Sequence, residues 1–291
     1  MNRLIFGCGY LGLRVAHRWL NAGDKVYSIT RSRPRAVAMK SLGMIPIVAD
    51  IINLESIPEL PVVDTVLFAV GFDRTLEMDI QQFHLTCLKH VVERISEPIS
   101  QFIYVSSTGV YGDSNGQWID EDFPATPNRI GGQACLDAEQ LLAASRFGGQ
   151  STRLRFAGIY GPGRIPNLKR IESRLWEKLS PAGYVNLIHV QDGARIIEQV
   201  SNQPATGEVY NVCDGHPAPR REFYETVAQS FGVRTIPWRK TPLTPGESTR
   251  IHSKRVMNQK LVEKYRVTFE FEDYRSGIAS ALVGRNPRPT P

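Results

Sequence analysis

Cysteine is scarce and scattered in this chain. Its four residues, Cys8, Cys87, Cys135 and Cys213, form no C-x-x-C pair, so neither a disulfide framework nor a thiolate zinc site is indicated and buried free thiols are expected. Long apolar runs are missing as well: no stretch of about 18 uninterrupted apolar residues occurs, as a membrane-crossing helix would need. The opening residues Met1 to Gly9 hold neither the apolar stretch nor the cleavage site of a secretory signal. A soluble, cytoplasmic protein without a membrane partner is therefore expected. Internal repeats and low-complexity segments are also absent. The one close grouping of ligating types, His84, Cys87 and His90, falls at i, i+3, i+6, which rotates around a helix instead of converging, so no metal is expected.

What is present looks like an ordinary folded chain. Of 291 residues, 42% are hydrophobic and 22% charged, with 24 glycines and 19 prolines, which suits one large domain or two smaller ones and excludes large-scale disorder. Lys and Arg exceed Asp and Glu by 35 to 29, a formal charge of +6. That balance suits an anionic small molecule. It fits nucleic acid less well, because no RNA-binding module signature appears and no aromatics interleave the basic run Arg31 to Arg35.

Apolar residues at Leu4-Ile5-Phe6 lead directly into Gly7-Cys8-Gly9-Tyr10-Leu11-Gly12. Leu11, Val15, Ala16, Trp19 and Leu20 then recur at helical spacing until Gly23. This reads as strand, glycine turn, helix, and Lys25 to Thr30 alternates into a second strand. Ile45 to Ala49, Thr65 to Val70, Gln101 to Ser107 and Ser151 to Phe156 read as four further strands. Helical patterns at Ile80 to Ile95 and Ala134 to Phe147 fall between them, which predicts a parallel sheet covered on both faces. After Phe156 the rhythm changes to a Gly/Pro loop, a helix near Leu168 to Leu179, and short alternating elements. A Pro/Thr-rich stretch, Thr235 to Thr249, separates a helix at Arg221 to Phe231 from helices near Lys254 to Tyr265 and Tyr274 to Leu282, and the tail Arg285 to Pro291 reads as frayed.

The spacing G-x-G-x-x-G carries a mechanism. Gly7 permits the tight turn, Gly9 lets backbone approach a pyrophosphate and Gly12 lets the helix pack, while N–H groups of Tyr10, Leu11 and Gly12 point toward phosphate. An acidic residue at the end of the second strand would mark NAD. Thr30 and Arg31 stand there instead, and a guanidinium can fork onto a 2′-phosphate that a carboxylate would repel, so NADP(H) is expected over NAD(H). Asp50, after the third strand, is placed at the adenine edge or in an Asx turn. Ala69, Val70 and Gly71 end the fourth strand beside the crevice. The strand at Phe102 to Ser107 ends in hydroxyls, placing Ser106, Ser107 and Thr108 on the nicotinamide side.

Taken in order, Gly7 to Gly12, VSSTGVYG at 105–112, YGPGR at 160–164, NLIHVQD at 186–192 and VYNV at 209–212 resemble the extended short-chain dehydrogenase/reductases of the NAD-dependent epimerase/dehydratase group. The run 158–166 with His216-Pro217 and Phe223-Tyr224 is similar to its atypical YeeZ-type subgroup. The resemblance implies an α/β fold with a Rossmann-type doubly wound parallel sheet and a smaller interwoven C-terminal lobe. It places an NAD(P)-binding domain at 1–157 and a lobe for a small-molecule substrate at 158–291, with about 185–215 returning to the first domain.

The resemblance also implies a Ser/Thr, Tyr and Lys catalytic set, with Ser107 at the Ser position. Aligned on Leu136-Asp137-Ala138-Glu139, Gly131 stands at the Tyr position and Cys135 at the Lys position. Glycine has no proton to transfer and a thiol is no fixed cation. Tyr111 becomes the first candidate proton donor, expected near a cleft mouth, followed by Tyr160 and His189. Arg164, His189, His216 and Arg220, with Tyr160, are placed toward an anionic or sugar-like substrate. Two functions follow: an NADP-dependent oxidoreductase of epimerase/dehydratase type, or a non-catalytic NADP-binding sensor.

Overall fold

The computed structural model describes residues 1–96, 98–238 and 253–282. Strand β1 (Asn2–Phe6) is apolar at Leu4, Ile5 and Phe6, all wholly buried, the pattern of a strand covered on both faces. It is followed by β2 (Lys25–Thr30), β3 (Ile45–Val48), β4 (Thr65–Phe68) and β5 (Gln101–Ser107). With strands Ser151–Phe156 and Val209–Val212 these form a seven-stranded sheet in the order Val209–Val212, Ser151–Phe156, β5, β4, β1, β2, β3. Strands β1 to β5 and Ser151–Phe156 pair in parallel. This is the doubly wound α/β architecture expected from the motif order. The chain starts in the middle and winds outward both ways, so the carboxyl ends of β1 and β4 lie side by side where strand order reverses.

Helix α1 (Gly12–Asn21) buries Val15, Ala16 and Trp19 and gives way to Gly23 at φ 82°. Helix α2 (Arg33–Ser41) begins within the basic run Arg31 to Arg35. Its start is explained locally: the Ser32 hydroxyl accepts from Arg35 N at 3.4 Å and Pro34 sits in the first turn, where its missing N–H costs nothing. Helices α3 (Ile80–Arg94) and α4 (Ile130–Ala144) follow, the first capped by Asp79, which accepts from Gln81 N and Gln82 N.

Two expected helices are shorter than their periodicity suggested. The one at Leu168 stops at Glu172, because Arg174 adopts φ 54°, and a short 3-10 turn, Trp176–Lys178, replaces the remainder. The one near Lys254 begins only at Gln259, because Arg255–Val256 pairs as a strand with Trp118–Ile119. The Pro/Thr-rich stretch lies largely, and the tail Arg285 to Pro291 wholly, outside the described residues.

The chain groups into two compact units: Met1–Gly112, Ala125–Phe156 and Gly193–Tyr210 form one, and Asp113–Pro124, Ala157–Asp192 and Asn211–Pro291 the other. The first is centred on Phe6, Phe68, Phe102 and Tyr104, with Phe68 and Tyr104 rings 5.8 Å apart. Burying each such ring contributes roughly 2–3 kcal/mol. The second is centred on Tyr160, Phe223, Val227 and Tyr274.

Candidate functional site

Three glycines shape the turn after β1, and their surroundings differ. Gly7 has φ 91°, and a Cβ there would lie 2.3 Å from the Ala69 carbonyl oxygen. A Cβ on Gly12 would lie 2.4 Å from the Gly7 oxygen, whereas one on Gly9 would meet nothing within 4 Å. Two positions are thus walled in by backbone and the third faces open space, where a ligand's phosphates can approach the main chain. Helix α1 begins there with no side-chain cap and no acidic residue in its first turn, so its positive end is available to an anion.

Arginines collar this turn. Arg14 Nη1 donates to the Tyr10 carbonyl at 2.6 Å, with its guanidinium 4.3 Å from the Tyr10 ring. Arg35 Nη2 donates to the Cys8 carbonyl at 3.0 Å. Arg31, just past Thr30, donates to the Asp73 carboxylate. Neither Arg14, Arg35 nor Asp73 was singled out from the sequence; the partners of Arg35 and Asp73 lie 27 and 42 residues away, whereas that of Arg14 is only four residues back. The Asp50 Oδ1 accepts from Ile52 N at 3.1 Å, an Asx turn. At the end of β4, Ala69 N donates to Phe6 O at 2.8 Å, leaving Val70 half-buried and Gly71 exposed beside the turn.

The end of β5 divides inward and outward. Ser106 is buried and donates to Glu139 Oε1 at 2.5 Å, and Arg155 clasps the same carboxylate through Nε at 3.0 Å and Nη2 at 2.7 Å. Burial opposes the Arg155 charge, yet the Glu139 hydrogen bonds more than offset it and hold Arg155 protonated. The Arg155 guanidinium lies 4.8 Å over the Tyr111 ring. Tyr111 is fully buried, not at an exposed mouth, because this network draws it inward. Ser107 is half-buried, and its Oγ accepts from Gly109 N at 3.0 Å. Thr108 is buried in the 3-10 turn that follows.

Helix α4 packs on that turn through glycine: a Cβ on Gly132 would lie 2.4 Å from the Gly109 oxygen. One turn of helix carries Gly131 and Cys135. A Cβ on Gly131 would meet only the Ile80 Cδ1, at 3.6 Å, so the position has room for a side chain it does not carry. Burial pushes the Cys135 thiol up to about 11, which leaves it protonated at neutral pH and unreactive.

In the second unit, Tyr160 is fully buried and donates to the Asp273 carbonyl at 3.2 Å. Its ring lies 5.2 Å from the His189 ring, which stacks on Phe271. Arg164 and His216 are exposed. The His216 Nδ1 lies 2.9 Å from the Glu272 carbonyl. Arg220 donates to the Tyr184 and Ala182 carbonyls, at 3.2 Å each. The structure therefore brings Tyr160 and His189 together as packed interior and leaves Arg164 and His216 at the surface. Asp214 was not singled out. It is buried, accepts from His216 N at 2.9 Å through Oδ1, and its Oδ2 has no hydrogen-bond partner among the described residues. Burial pushes this carboxyl up to about 8, with the Asp273 and Asp192 charges adding to the rise.

Among the described residues, no helix is long and apolar enough to cross a membrane.

Residues 4–213 match the NAD dependent epimerase/dehydratase family. Protein YeeZ of Escherichia coli (strain K12) is 29% identical over 269 residues, spanning 88% of this chain and 92% of its own. A conserved Silicibacter pomeroyi protein of unknown function superposes with a TM-score of 0.73 at 26% identity, over 98% of this chain and 99% of that one. The UDP-glucose 4-epimerase of Thermotoga maritima, solved with UDP-glucose, gives a TM-score of 0.75 at 17% identity over 97% of each chain, a likeness of fold alone.

Proposed function

This chain belongs to the NAD-dependent epimerase/dehydratase family, and from that premise we propose that it is a nicotinamide-dinucleotide-dependent oxidoreductase with a preference for NADP(H). The observation that carries the reading is the turn after β1, where Gly7 and Gly12 are closed by backbone and Gly9 faces open space. Backbone at Gly7, Gly9, Tyr10, Leu11 and Gly12 would hold the pyrophosphate, and Thr30 and Arg31 the 2′-phosphate of the adenosine ribose. Asp50 would sit at the adenine, with Ala69, Val70, Gly71 and the Ser106 backbone toward the nicotinamide. When bound, the cofactor supplies or accepts a hydride.

The protein's own contribution is orientation and polarisation. The Ser107 Oγ accepts from Gly109 N and keeps its own O–H to donate to the oxygen of a carbonyl or hydroxyl substrate. The usual Tyr–Lys pair is replaced by Gly131 and Cys135, so proton delivery falls to another group. Tyr111, Tyr160 and His189 are buried and would act only through a relay. Arg164, His216 and Arg220 suit an anionic, sugar-nucleotide or aldehyde-like substrate. With no membrane-crossing helix among the described residues, a cytoplasmic site fits this chemistry.

The test is NADPH deuterated at the transferable nicotinamide position, incubated with protein and a metabolite extract and followed by mass spectrometry. The expected result is one labelled metabolite that disappears with Ser107→Ala. Binding without label anywhere would replace this reading with the second one, a non-catalytic cofactor sensor, which the Gly131 and Cys135 replacements favour.

A further inference from the structure

Strand β1 lies between β2 and β4, with Phe6 in register with Ile29 on one side and Phe68 on the other. Residues just past the ends of β2 and β4 therefore flank the glycine turn. Arg31 follows β2 directly, and Asp73 lies five residues past the end of β4. Their ion pair links the two flanks beside the open approach at Gly9.

The Asp73 carboxylate is divided between two tasks. Its Oδ1 accepts from the Thr75 backbone N at 3.0 Å and from Thr75 Oγ1 at 2.7 Å, and its Oδ2 accepts from Arg31. Oδ1 is thus fixed by its own loop, which holds Oδ2 toward Arg31. The Thr75 hydrogen bonds, with Arg31, keep this carboxyl low, at about 2, so it is anionic at any physiological pH.

We propose that Asp73 is an internal competitor for Arg31 and so a determinant of cofactor selectivity: a phosphate on the adenosine ribose must displace the Asp73 Oδ2, whereas a ribose bearing only hydroxyls need not. This rests on the cofactor reading above. The exposed pair is partly screened by water, and pairs of this kind shift an equilibrium by a few-fold at most. Asp73 therefore trims the phosphate preference set by Arg31 without reversing it.

Asp73→Asn isolates the effect, because the amide keeps an oxygen for Thr75 and loses the negative charge facing Arg31. Titrations of NADPH, NADH, adenosine 2′,5′-bisphosphate and ADP into wild type, Asp73→Asn, Arg31→Ala and the double variant separate the terms. The expected result is that Asp73→Asn tightens the two 2′-phosphorylated ligands about two- to fivefold and leaves NADH and ADP unchanged, with no gain when Arg31 is already Ala. Weaker or unaltered NADPH binding in Asp73→Asn would overturn the inference and show that Asp73 orients Arg31 instead of competing for it. Failure of all four ligands to bind wild type would instead overturn the cofactor reading.

Discussion

The turns after β1 and after β5 are built alike and used differently. Each brings glycine against backbone that no Cβ could share: Gly7 and Gly12 at the first, Gly112 and, on the helix α4 that packs against it, Gly132 at the second, with contacts of 2.2 to 2.4 Å to carbonyl oxygens. Each has a cysteine close by, Cys8 within the first turn and Cys135 on the helix packed against the second, and burial pushes both thiols up to about 11. The first turn directs arginines and an uncapped helix end to its rim. The second draws its charge inward, tying Ser106 to Glu139 and Arg155 and leaving Ser107 half-buried. Similar glycine packing thus supports charge turned outward at one turn and inward at the other.

The inward network is the place where this contrast breaks most easily. Glu139→Ala leaves Arg155 buried without its partner and should cost about 3–5 kcal/mol, read as a fall in the urea midpoint, whereas Arg14→Ala at the rim of the first turn should change stability by less than about 0.5 kcal/mol. Equal losses would erase the distinction between inward and outward charge. Gly7→Ala and Gly132→Ala should each lose about 3 kcal/mol, since the new methyl overlaps a carbonyl oxygen and, at Gly7, the backbone has positive φ.

Thiol chemistry gives a pH-dependent check on both turns. A pKa near 11 leaves roughly a hundredfold less thiolate at pH 7.5 than the ordinary cysteine value of 9.0 does, so Cys8 and Cys135 should alkylate about a hundred times more slowly than in the denatured chain. Peptide mapping after iodoacetamide treatment measures this, and rapid native labelling of Cys135 would restore it as a nucleophile.

Asp214 in the second unit sharpens the contrast between a buried carboxyl paired with a cation and one whose Oδ2 has no hydrogen-bond partner among the described residues. Its folded pKa, about 8, lies above the unfolded value, so the folded chain holds a proton that the unfolded chain has released. Stability from this group is greatest below about pH 4 and is lost as pH rises toward 8, by no more than about 1.4 kcal/mol per pH unit. Asp214→Asn should therefore melt higher than wild type, with a gap that widens from pH 5 to pH 8. A constant gap would contradict the assignment.

Local pattern carried most of the fold. β2, β5 and Ser151–Phe156 run over the residues their apolar pattern indicated, because each is short, covered on both faces and bounded by turn residues. Helix α2 was not among the helices the pattern indicated: Pro34 and the surrounding arginines mask its start, although Ser32 supplies the cap. The glycine turn was legible because its spacing and its flanking strand and helix are contiguous. The pairings of side chains were not: Arg31 finds Asp73 only once β2 and β4 flank β1, and Glu139 finds Arg155 only once helix α4 packs beside the strand that follows it. Tyr111 illustrates the limit, since nothing in its neighbours along the chain announces the guanidinium that covers it.

The most direct test of the central claim is a titration of NADPH and NADH into wild type and Gly9→Val, followed by cofactor fluorescence, with a melting curve for each protein. A Cβ at Gly9 meets no atom within 4 Å, so the variant should keep the native fold. Its added methyl groups stand where phosphate must approach, and the expected result is at least about tenfold weaker binding of NADPH, a cost of about 1.4 kcal/mol, at a melting temperature near that of wild type. Equal affinity in a natively folded Gly9→Val, or no binding of either nucleotide to wild type, would contradict the assignment of this turn as the cofactor site.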